Sequence, residues 1–216
     1  YRDARTACID QEVYRQISEE DLYLRTGIQK QIFNTIYQLA ALQKQSPSDL
    51  ERAEHFLMIP DYFHFLLTGE YSNEYTNAST TQLVSPLTKN WDYDLIRKLG
   101  FPPHIFHDLK MPGSFLGKFT DAVSKEVGFS CNVVIPATHD TGSAVMAVPC
   151  ADENSAYISS GTWSLMGIET KKPIISQDSL HANFTNEGGY DYRFRFLKNI
   201  MGLWMIQSVR HETGDR

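Results

Sequence analysis

The amino-acid sequence predicts an α/β protein with two different parts. In the first part, apolar side chains recur every three or four positions in several segments, which is typical of amphipathic helices. A short apolar run at 133–135 is followed by Pro136 and then by a helical pattern that begins at Asp140. The second part opens with two short apolar strands joined by Ser-Gly, which predicts a β-hairpin. We therefore expect a domain boundary near residue 150, between parts 1–149 and 150–216.

Composition and charge narrow the classes of function. The 216 residues are 42% hydrophobic and 12% aromatic, which is enough for a packed core and argues against disorder. The net charge of −6 disfavours nucleic acid as a partner, because such binding depends on clustered Lys and Arg. No apolar run approaches the roughly 20 residues that span a bilayer, and the N-terminus lacks the apolar centre of a signal peptide. We expect a soluble protein with no membrane partner.

The cysteines and the chain ends give two further expectations. Cys8, Cys131 and Cys150 are an odd number, lie far apart and lack metal-binding spacing, which fits a reducing cytoplasm. The sequence starts without Met and stops within a helical pattern at Arg216. We therefore expect a piece of a longer chain.

Helices dominate the first part. Ile9, Val13 and Ile17 mark the first helix, and Ser18 is a favoured N-cap for the second, which ends at a turn formed by Thr26 and Gly27. Further helices are predicted at 34–43, with Ile36, Leu39, Ala40 and Leu42 buried, at 61–67, where Thr68 and Gly69 end the helix, at 91–99 and, as a short turn, at 102–107. We interpret the aromatic run within 61–67 as core, and 115–119 as a strand.

The polar stretch 74–82 has two interpretations. Its hydroxyl and amide side chains could line a sugar pocket, or they could satisfy the backbone of a loop. Loop chemistry is the commoner use of such residues, so we favour it.

Strands dominate the second part until its last helix. The hairpin comprises 156–159 and 162–168, and alternation at 193–196 predicts a third strand. From Asn199 to His211, apolar residues at helical spacing predict that a helix ends the chain.

Asp140 is the candidate catalytic base. It lies where a strand becomes a helix, which is where α/β sheets commonly hold their chemistry. The Thr138 and Thr141 hydroxyls flank it, and Gly142 would let a ligand approach the backbone. A carboxylate placed there can accept a proton from a substrate hydroxyl. Asp is also a favoured N-cap residue, so a purely structural role for Asp140 stays open at this point.

Other titratable groups give weaker signals. A hydrolase would need a partner for Asp140, and the adjacent His139 points elsewhere if Asp140 faces the ligand. His104 and His107 are three residues apart, but a single pair beside a Pro-Pro turn is more often surface than metal site. We name no metal ligand in this chain.

Eight segments resemble the FGGY family of carbohydrate kinases. They comprise residues 1–6, 26–29, 33–35, 60–63, 75–81, 139–141, 159–167 and 198–204. The similarity spans nearly the whole chain, and the last two segments resemble most closely the members that phosphorylate rhamnulose. The resemblance implies the duplicated ribonuclease-H-like fold of actin and hexokinase. The chain would hold the later part of its first, sugar-binding domain and the start of its second, nucleotide-binding domain.

The resemblance also implies roles for individual residues. Asp140 matches the base that activates the sugar hydroxyl, while His139, Thr141 and Asn199 match substrate contacts. Thr162 matches a threonine whose turn faces the ATP phosphates, and Gln207 matches a nucleotide contact on the following helix. A turn of Ser, Gly and Thr suits phosphate because its backbone N–H groups and hydroxyl can bind the anion. An ordinary tight turn is the alternative.

The expected function is ATP- and Mg²⁺-dependent phosphorylation of a ketose, with L-rhamnulose as the expected substrate and L-rhamnulose 1-phosphate as the product. In the family, one phosphate-binding hairpin, which also carries the magnesium carboxylate, would lie before Tyr1, and an adenosine-binding segment would lie after Arg216. We therefore expect the 216 residues alone to be inactive. The alternatives are a kinase of another ketose, such as fuculose or xylulose, and a truncated chain that binds a sugar or a protein without catalysis.

Overall fold

The computed structural model describes residues 4–149, 152, 155–161 and 163–214. Within these residues the α-helices are Asp10–Tyr14 (α1), Glu19–Thr26 (α2), Thr35–Gln45 (α3), Pro47–Glu51 (α4), Ile59–Thr68 (α5), Tyr75–Ala78 (α6), Tyr93–Lys98 (α7), Asp121–Val127 (α8), Asp140–Met146 (α9), Gln177–His181 (α10) and Trp204–Glu212 (α11). The strands are Asn73–Glu74 (β1), Val84–Ser85 (β2), Asn90–Trp91 (β3), Leu109–Lys110 (β4), Phe115–Lys118 (β5), Asn132–Val134 (β6), Ala156–Ser160 (β7), Trp163–Thr170 (β8), Thr185–Gly188 (β9) and Phe194–Met201 (β10).

Helix boundaries in the first part follow local capping chemistry. The Ser18 hydroxyl accepts from the backbone N–H of Asp21 and begins α2, as predicted. Gly27 and Gly69 end α2 and α5 in the left-handed conformation, with φ of 70° and 76°. Both turns were predicted from Thr-Gly pairs, because glycine adopts positive φ at little cost.

The main hydrophobic core lies in the first part. It is formed by buried side chains of α1, α2, α3 and α7 and of the segments between them, including Ile9, Val13, Leu22, Ile36, Leu39, Trp91, Leu95 and Phe106. The inward face predicted for α3 is correct except at Leu42, which is only partly buried. The helix predicted from Trp91 begins at Tyr93 instead, because Trp91 pairs with Val84 in a short antiparallel ladder.

The expectation that the aromatic run of α5 is core is wrong. Tyr62 and Phe63 are 46% and 59% exposed, whereas Asp61 and His64 are the buried residues of this helix. The helix buries polar side chains because the Asp61 carboxylate accepts hydrogen bonds from Asn73 Nδ2 at 3.0 Å and from Glu74 N at 3.0 Å. These hydrogen bonds offset the cost of burying the Asp61 carboxylate, so the apolar pattern of the segment does not by itself decide which side chains are buried.

The second part is a four-stranded antiparallel sheet with strand order β7-β8-β10-β9. The predicted hairpin of β7 and β8 is confirmed. Strand β9 was not predicted, and the helix expected from Asn199 begins only at Trp204. Residues 199–201 extend β10 because their backbone pairs with Leu165 to Trp163, so the sheet overrides the helical spacing of the side chains.

The sheet contacts the first part mainly through β9 and polar groups. Tyr23 Oη donates to the carbonyl of Phe184 at 2.8 Å, and Asn186 N donates to the carbonyl of Gly27 at 2.8 Å. Gly188 N donates to Ser79 Oγ at 2.7 Å. These bonds place the edge of the sheet beside α6 and so complete a cleft described below.

Two further expectations concern membrane-spanning helices and the cysteines. Among the helices of the described residues, none combines the length and apolarity needed to cross a membrane. Cys8 and Cys131 are exposed free thiols, and Cys150 lies outside the described residues.

Candidate active site

The loop between β6 and α9 is held by a buried carboxylate. Glu74 is fully buried, and its Oε2 accepts from Thr138 N at 3.1 Å and from Thr138 Oγ1 at 2.8 Å. The same carboxylate accepts from the backbone N–H groups of Thr76 and Asn77, at 2.7 and 3.0 Å. One buried group therefore joins the start of α6 to the loop that precedes Asp140.

Asp140 is the first residue of α9, and its side chain is 98% exposed. The N-cap residue is His139, whose side chain makes no capping hydrogen bond. Asp140 Oδ1 accepts from Thr141 N at 2.6 Å and from Thr141 Oγ1 at 3.3 Å. The carboxylate is thus oriented through one oxygen while its other oxygen stays open, an arrangement different from the N-cap alternative.

His139 lies beneath Asp140 among charged groups. Its Nδ1 is 3.1 Å from Arg195 Nη1, and its Nε2 is 3.9 Å from Glu187 Oε2. Burial lowers the pKa of His139 below its ordinary value, and Arg195 adds to this effect, although Glu187 and Asp140 oppose it. The imidazole is therefore neutral at pH 7.

Arg195 is a buried cation, and each of its three side-chain nitrogens has a polar partner. Its Nε and Nη2 donate to the carbonyl of Gly188 at 3.2 and 3.1 Å. Its Nη1 also lies 3.1 Å from Glu187 Oε2, close enough for an ion pair but without the alignment of a hydrogen bond. The ion pair offsets much of the cost of removing the guanidinium from water.

His139, Asp140 and Glu187 line a cleft of about 940 Å³. One wall carries the polar side chains of Gln29, Gln31, Asn34 and Thr80 together with the apolar side chains of Phe33, Phe56, Met58 and Ile59. The sheet also contributes to the lining, through Ser159, Ser160, Trp163, Leu165, Thr185, Glu187 and Asn199. A mixed polar and apolar cleft of this size can bind a small polar ligand.

The structure brings together four of the predicted site residues. His139, Asp140, Thr141 and Asn199 all line this cleft. Gln207 does not: it lies exposed on α11, outside the lining. Thr162 falls outside the described residues, although Gly161 and Trp163 on either side of it line the cleft.

The expectation that His139 points away from the ligand is wrong. His139 and Asp140 line the same cleft, with Nδ1 and Oδ1 3.9 Å apart. The loop makes this possible because His139 precedes the helix with an extended ψ of 117°, so helical periodicity does not separate the two side chains. Since Nδ1 faces Arg195, His139 is not positioned to relay a proton from Asp140 as a hydrolase would require.

The two histidines spaced by three do not form a pair. His104 Nε2 lies 3.0 Å from the carbonyl of Ala53, whereas His107 Nε2 lies 3.1 Å from His55 Nδ1. Over the residues that the structure describes, no group of three or more His, Cys, Asp or Glu is arranged to hold a metal ion.

Sequence reasoning missed Glu74, Glu187 and Arg195, the charged groups that shape the site. Glu74 stands at the start of the polar stretch, but nothing in the sequence marks it as buried. Arg195 belongs to an alternating strand whose arginines resemble a solvent-facing row. The polar stretch itself satisfies mostly backbone, as favoured above, since Thr81 Oγ1 donates to the carbonyl of Ala78 at 2.6 Å; of its side chains, Thr80 lines the cleft.

Comparison with known proteins identifies the class. Residues 1–147 match the N-terminal domain, and residues 156–216 the C-terminal domain, of the FGGY family of carbohydrate kinases. The chain therefore belongs to the FGGY family of carbohydrate kinases.

Within that family, curated relatives narrow the similarity further. The rhamnulokinase of Oceanobacillus iheyensis is 59% identical over 215 residues, and that of Halalkalibacterium halodurans is 59% identical over 216 residues. Both matches cover 100% of this chain and 46% of the relative. The chain thus spans about half the length of the curated relatives it matches.

Solved structures share the fold. A ligand-bound xylulose kinase from Lactobacillus acidophilus superimposes with a TM-score of 0.83 at 19% identity, over 96% of this chain and 42% of that chain. Plasmodium falciparum glycerol kinase with ADP gives a TM-score of 0.78 at 17% identity, over 96% and 43%. The expected fold class, α/β of the actin and hexokinase type, is confirmed.

Proposed function

We propose that this chain supplies the sugar-binding cleft and the catalytic base of an ATP-dependent ketose kinase that converts L-rhamnulose to L-rhamnulose 1-phosphate. The observation that carries the proposal is the exposed Asp140 carboxylate in one cleft with His139, Thr141 and Asn199. The curated rhamnulokinases at 59% identity support the choice of sugar. The reaction is proposed for a complete protein that contains this chain.

Asp140 would act as the general base. Thr141 donates to Oδ1 through its N–H and its hydroxyl, which orients the carboxylate and leaves Oδ2 for the hydroxyl on C1 of the sugar. As Asp140 takes that proton, O1 bonds to the terminal phosphorus of ATP and the bond to ADP breaks. Phosphoryl transfer depends mainly on positioning and charge neutralisation, so one carboxylate and a shaped cleft are a sufficient protein contribution on this side.

The cleft wall suits a deoxy ketose. Gln29, Gln31 and Asn199 can hydrogen-bond sugar hydroxyls, while Phe33 and Phe56 offer apolar surface. L-rhamnulose carries a methyl group at one end and hydroxyls along the rest, which matches such a divided lining. Fuculose has the same methyl group and remains the closest alternative, whereas xylulose lacks it.

ATP would bind on the side of the hairpin turn. Ser159, Ser160 and Gly161 line the same cleft as Asp140, and we propose the neighbouring Thr162 as a phosphate contact. Gln207 is proposed as a nucleotide contact on α11. Mg²⁺ would accompany ATP, with ligands that we do not place in this chain. A reaction that consumes ATP is proposed to take place in the cytoplasm.

The test compares Asp140→Asn with Asp94→Asn in the complete protein. Asp94 is exposed on α7, so its variant controls for the same chemical change. We expect Asp140→Asn to lower kcat on L-rhamnulose by about 100- to 10,000-fold, because a positioned base contributes about that much. Sugar binding should persist, since the amide keeps the shape of the carboxylate.

Turnover within a few fold of the parent would remove Asp140 from the role of base. A higher kcat/KM for fuculose or xylulose than for rhamnulose would reassign the substrate. Sugar binding without any ATP consumption by the parent protein would favour the non-catalytic binder.

A further inference from the structure

Arg195 holds His139 from below the cleft. It lies on β10 with no solvent exposure, and the carbonyl of Gly188 fixes two of its nitrogens. The third nitrogen, Nη1, is 3.1 Å from His139 Nδ1. A guanidinium has five N–H donors and no acceptor. His139 Nδ1 must therefore offer its lone pair to Arg195.

This contact determines where the imidazole carries its proton. In a neutral imidazole one ring nitrogen donates a hydrogen bond and the other accepts one. A partner that can only donate to one nitrogen therefore fixes the proton on the other. With Nδ1 as acceptor, the proton of His139 lies on Nε2. A proton on both nitrogens would turn Nδ1–H toward Arg195 and bring two cations together.

Charged groups from several elements face His139. Arg195 is on β10, Glu187 on β9, Asp140 on α9 and Glu74 at the end of β1. The three carboxylates favour an imidazolium, whereas burial and Arg195 disfavour it, and the net effect is a pKa below the ordinary value. The charges around His139 and its hydrogen bond to Arg195 thus both favour a neutral imidazole.

Among the residues that the structure describes, none accepts a hydrogen bond from the Nε2–H group. Glu187 Oε2 is 3.9 Å away, beyond hydrogen-bond distance. His139 itself lines the cleft. An oxygen atom of a bound sugar is the natural acceptor for this donor.

We propose that Arg195 is a positioning residue that fixes His139 as an Nε2–H donor, and that His139 in this form hydrogen-bonds an oxygen of the ketose. The proposal rests on the proposed function, because it takes a ketose as the occupant of the cleft. The two adjacent residues then have different roles. Asp140 accepts a proton from the sugar, whereas His139 donates a hydrogen bond to the sugar and transfers no proton. Arg195 acts on the sugar only through His139.

The first test is the tautomer of His139 in the parent protein without sugar. Long-range ¹H–¹⁵N spectra at pH 7 distinguish a protonated Nε2 from a protonated Nδ1. We expect the Nε2–H form alone. A protonated Nδ1, whether in the other tautomer or in an imidazolium, overturns the proposal without touching the question of kinase activity.

The second test uses Arg195→Lys, with Arg193→Lys as the matched control. Arg193 is two residues earlier and pairs with Glu169. We expect Arg195→Lys to raise KM for rhamnulose about 10-fold, as expected for one hydrogen bond, with kcat within about 3-fold and KM for ATP unchanged. Arg193→Lys should leave all three constants unchanged.

A double-mutant comparison separates positioning from general packing. His139→Gln offers an amide N–H that does not depend on Arg195 for its protonation state. In that background, Arg195→Lys should raise the KM for rhamnulose by less than about 2-fold. An unchanged 10-fold effect would show that Arg195 acts independently of His139 and would overturn the proposal.

If Arg195→Lys does not fold, the tautomer of His139 in the parent protein still decides the question. If the parent phosphorylates no ketose, the proposed function fails on its own.

Discussion

Replacing Glu74 by Gln should loosen the loop between β6 and α9. Glu74 is fully buried, and its carboxylate accepts from three backbone N–H groups, those of Thr76, Asn77 and Thr138. It also accepts from the hydroxyls of Thr76 and Thr138. A glutamine keeps one oxygen and replaces the other by an NH₂ group that can only donate.

The size of the effect depends on which donors can adapt. A glutamine can place its oxygen where Oε2 accepts from Asn77 N and Thr138 N, which leaves its NH₂ group facing Thr76 N, the N–H bonded to Oε1. The Thr76 N–H then loses its bond to a charged group, about 1.5–3 kcal/mol, and the bonds to the retained oxygen weaken because it is no longer charged, so we predict a loss of roughly 3–6 kcal/mol of unfolding free energy. That is a large share of the roughly 5–15 kcal/mol of a typical domain.

The measurement combines chemical unfolding with amide hydrogen exchange. Glu126→Gln on the exposed surface of α8 makes the same chemical change and should shift stability by no more than about 0.5 kcal/mol. In Glu74→Gln the Thr138 amide should lose protection more than the amides of α3, because the loop opens first. Stability within about 1 kcal/mol of the parent, with Thr138 still protected, would refute the reasoning.

Two further predictions concern buried groups. Burial raises the pKa of Asp61 to about 6, above the value of about 3.9 in an unfolded chain. Between these pH values the folded state binds more protons than the unfolded state, so the unfolding free energy should fall by ~3 kcal/mol as the pH rises from about 4 to about 6. In Asp61→Asn the unfolding free energy should depend less steeply on pH over this range. Equal pH dependence in unfolding titrations of the two proteins would contradict the argument. Gly188→Ala should cost about 1–3 kcal/mol of unfolding free energy, because the new Cβ would lie 2.6 Å from Cε1 of the fully buried Tyr75. An alanine variant as stable as the parent in urea would show that Tyr75 can move aside.

Local chemistry made part of the fold predictable. The Ser18 cap, the Thr-Gly helix ends and the hairpin of β7 and β8 depend on neighbouring residues alone, and each was predicted correctly. Long-range pairing was not predictable in this way. Residues 199–201 have helical spacing but belong to β10, because strand β8 offers their backbone a complete set of hydrogen bonds.

The buried polar groups mark the limit of sequence reasoning. In α5 the apolar pattern predicted a buried aromatic face, yet Asp61 is buried and Phe63 is exposed. The reason is a partner set supplied by Asn73 and Glu74, more than ten residues away. Arg195 shows the same effect, since Gly188 and His139 are brought to it only by the fold.

At the site, the sequence indicated the candidate base but not the buried charged groups around it. Asp140 was recognisable from the passage of a strand into a helix, and its roles as base and as N-cap could not be separated. The structure makes His139 the N-cap residue and leaves the Asp140 carboxylate exposed. The role of base is still a prediction, to be decided by Asp140→Asn.

The position of His139 explains why the cleft needs both parts of the chain. The main hydrophobic core lies in the first part, and the sheet meets that part through polar contacts such as Gly188 N to Ser79 Oγ and Arg195 to His139. His139 is thus held on one side by a loop anchored to Glu74 and on the other by a strand of the sheet. A change in the sheet that moves Arg195 would alter the protonation of His139 without moving Asp140. If Asp140 and His139 have the roles proposed above, substitutions of Arg195 should change mainly the KM for the sugar, and substitutions of Asp140 should change mainly kcat.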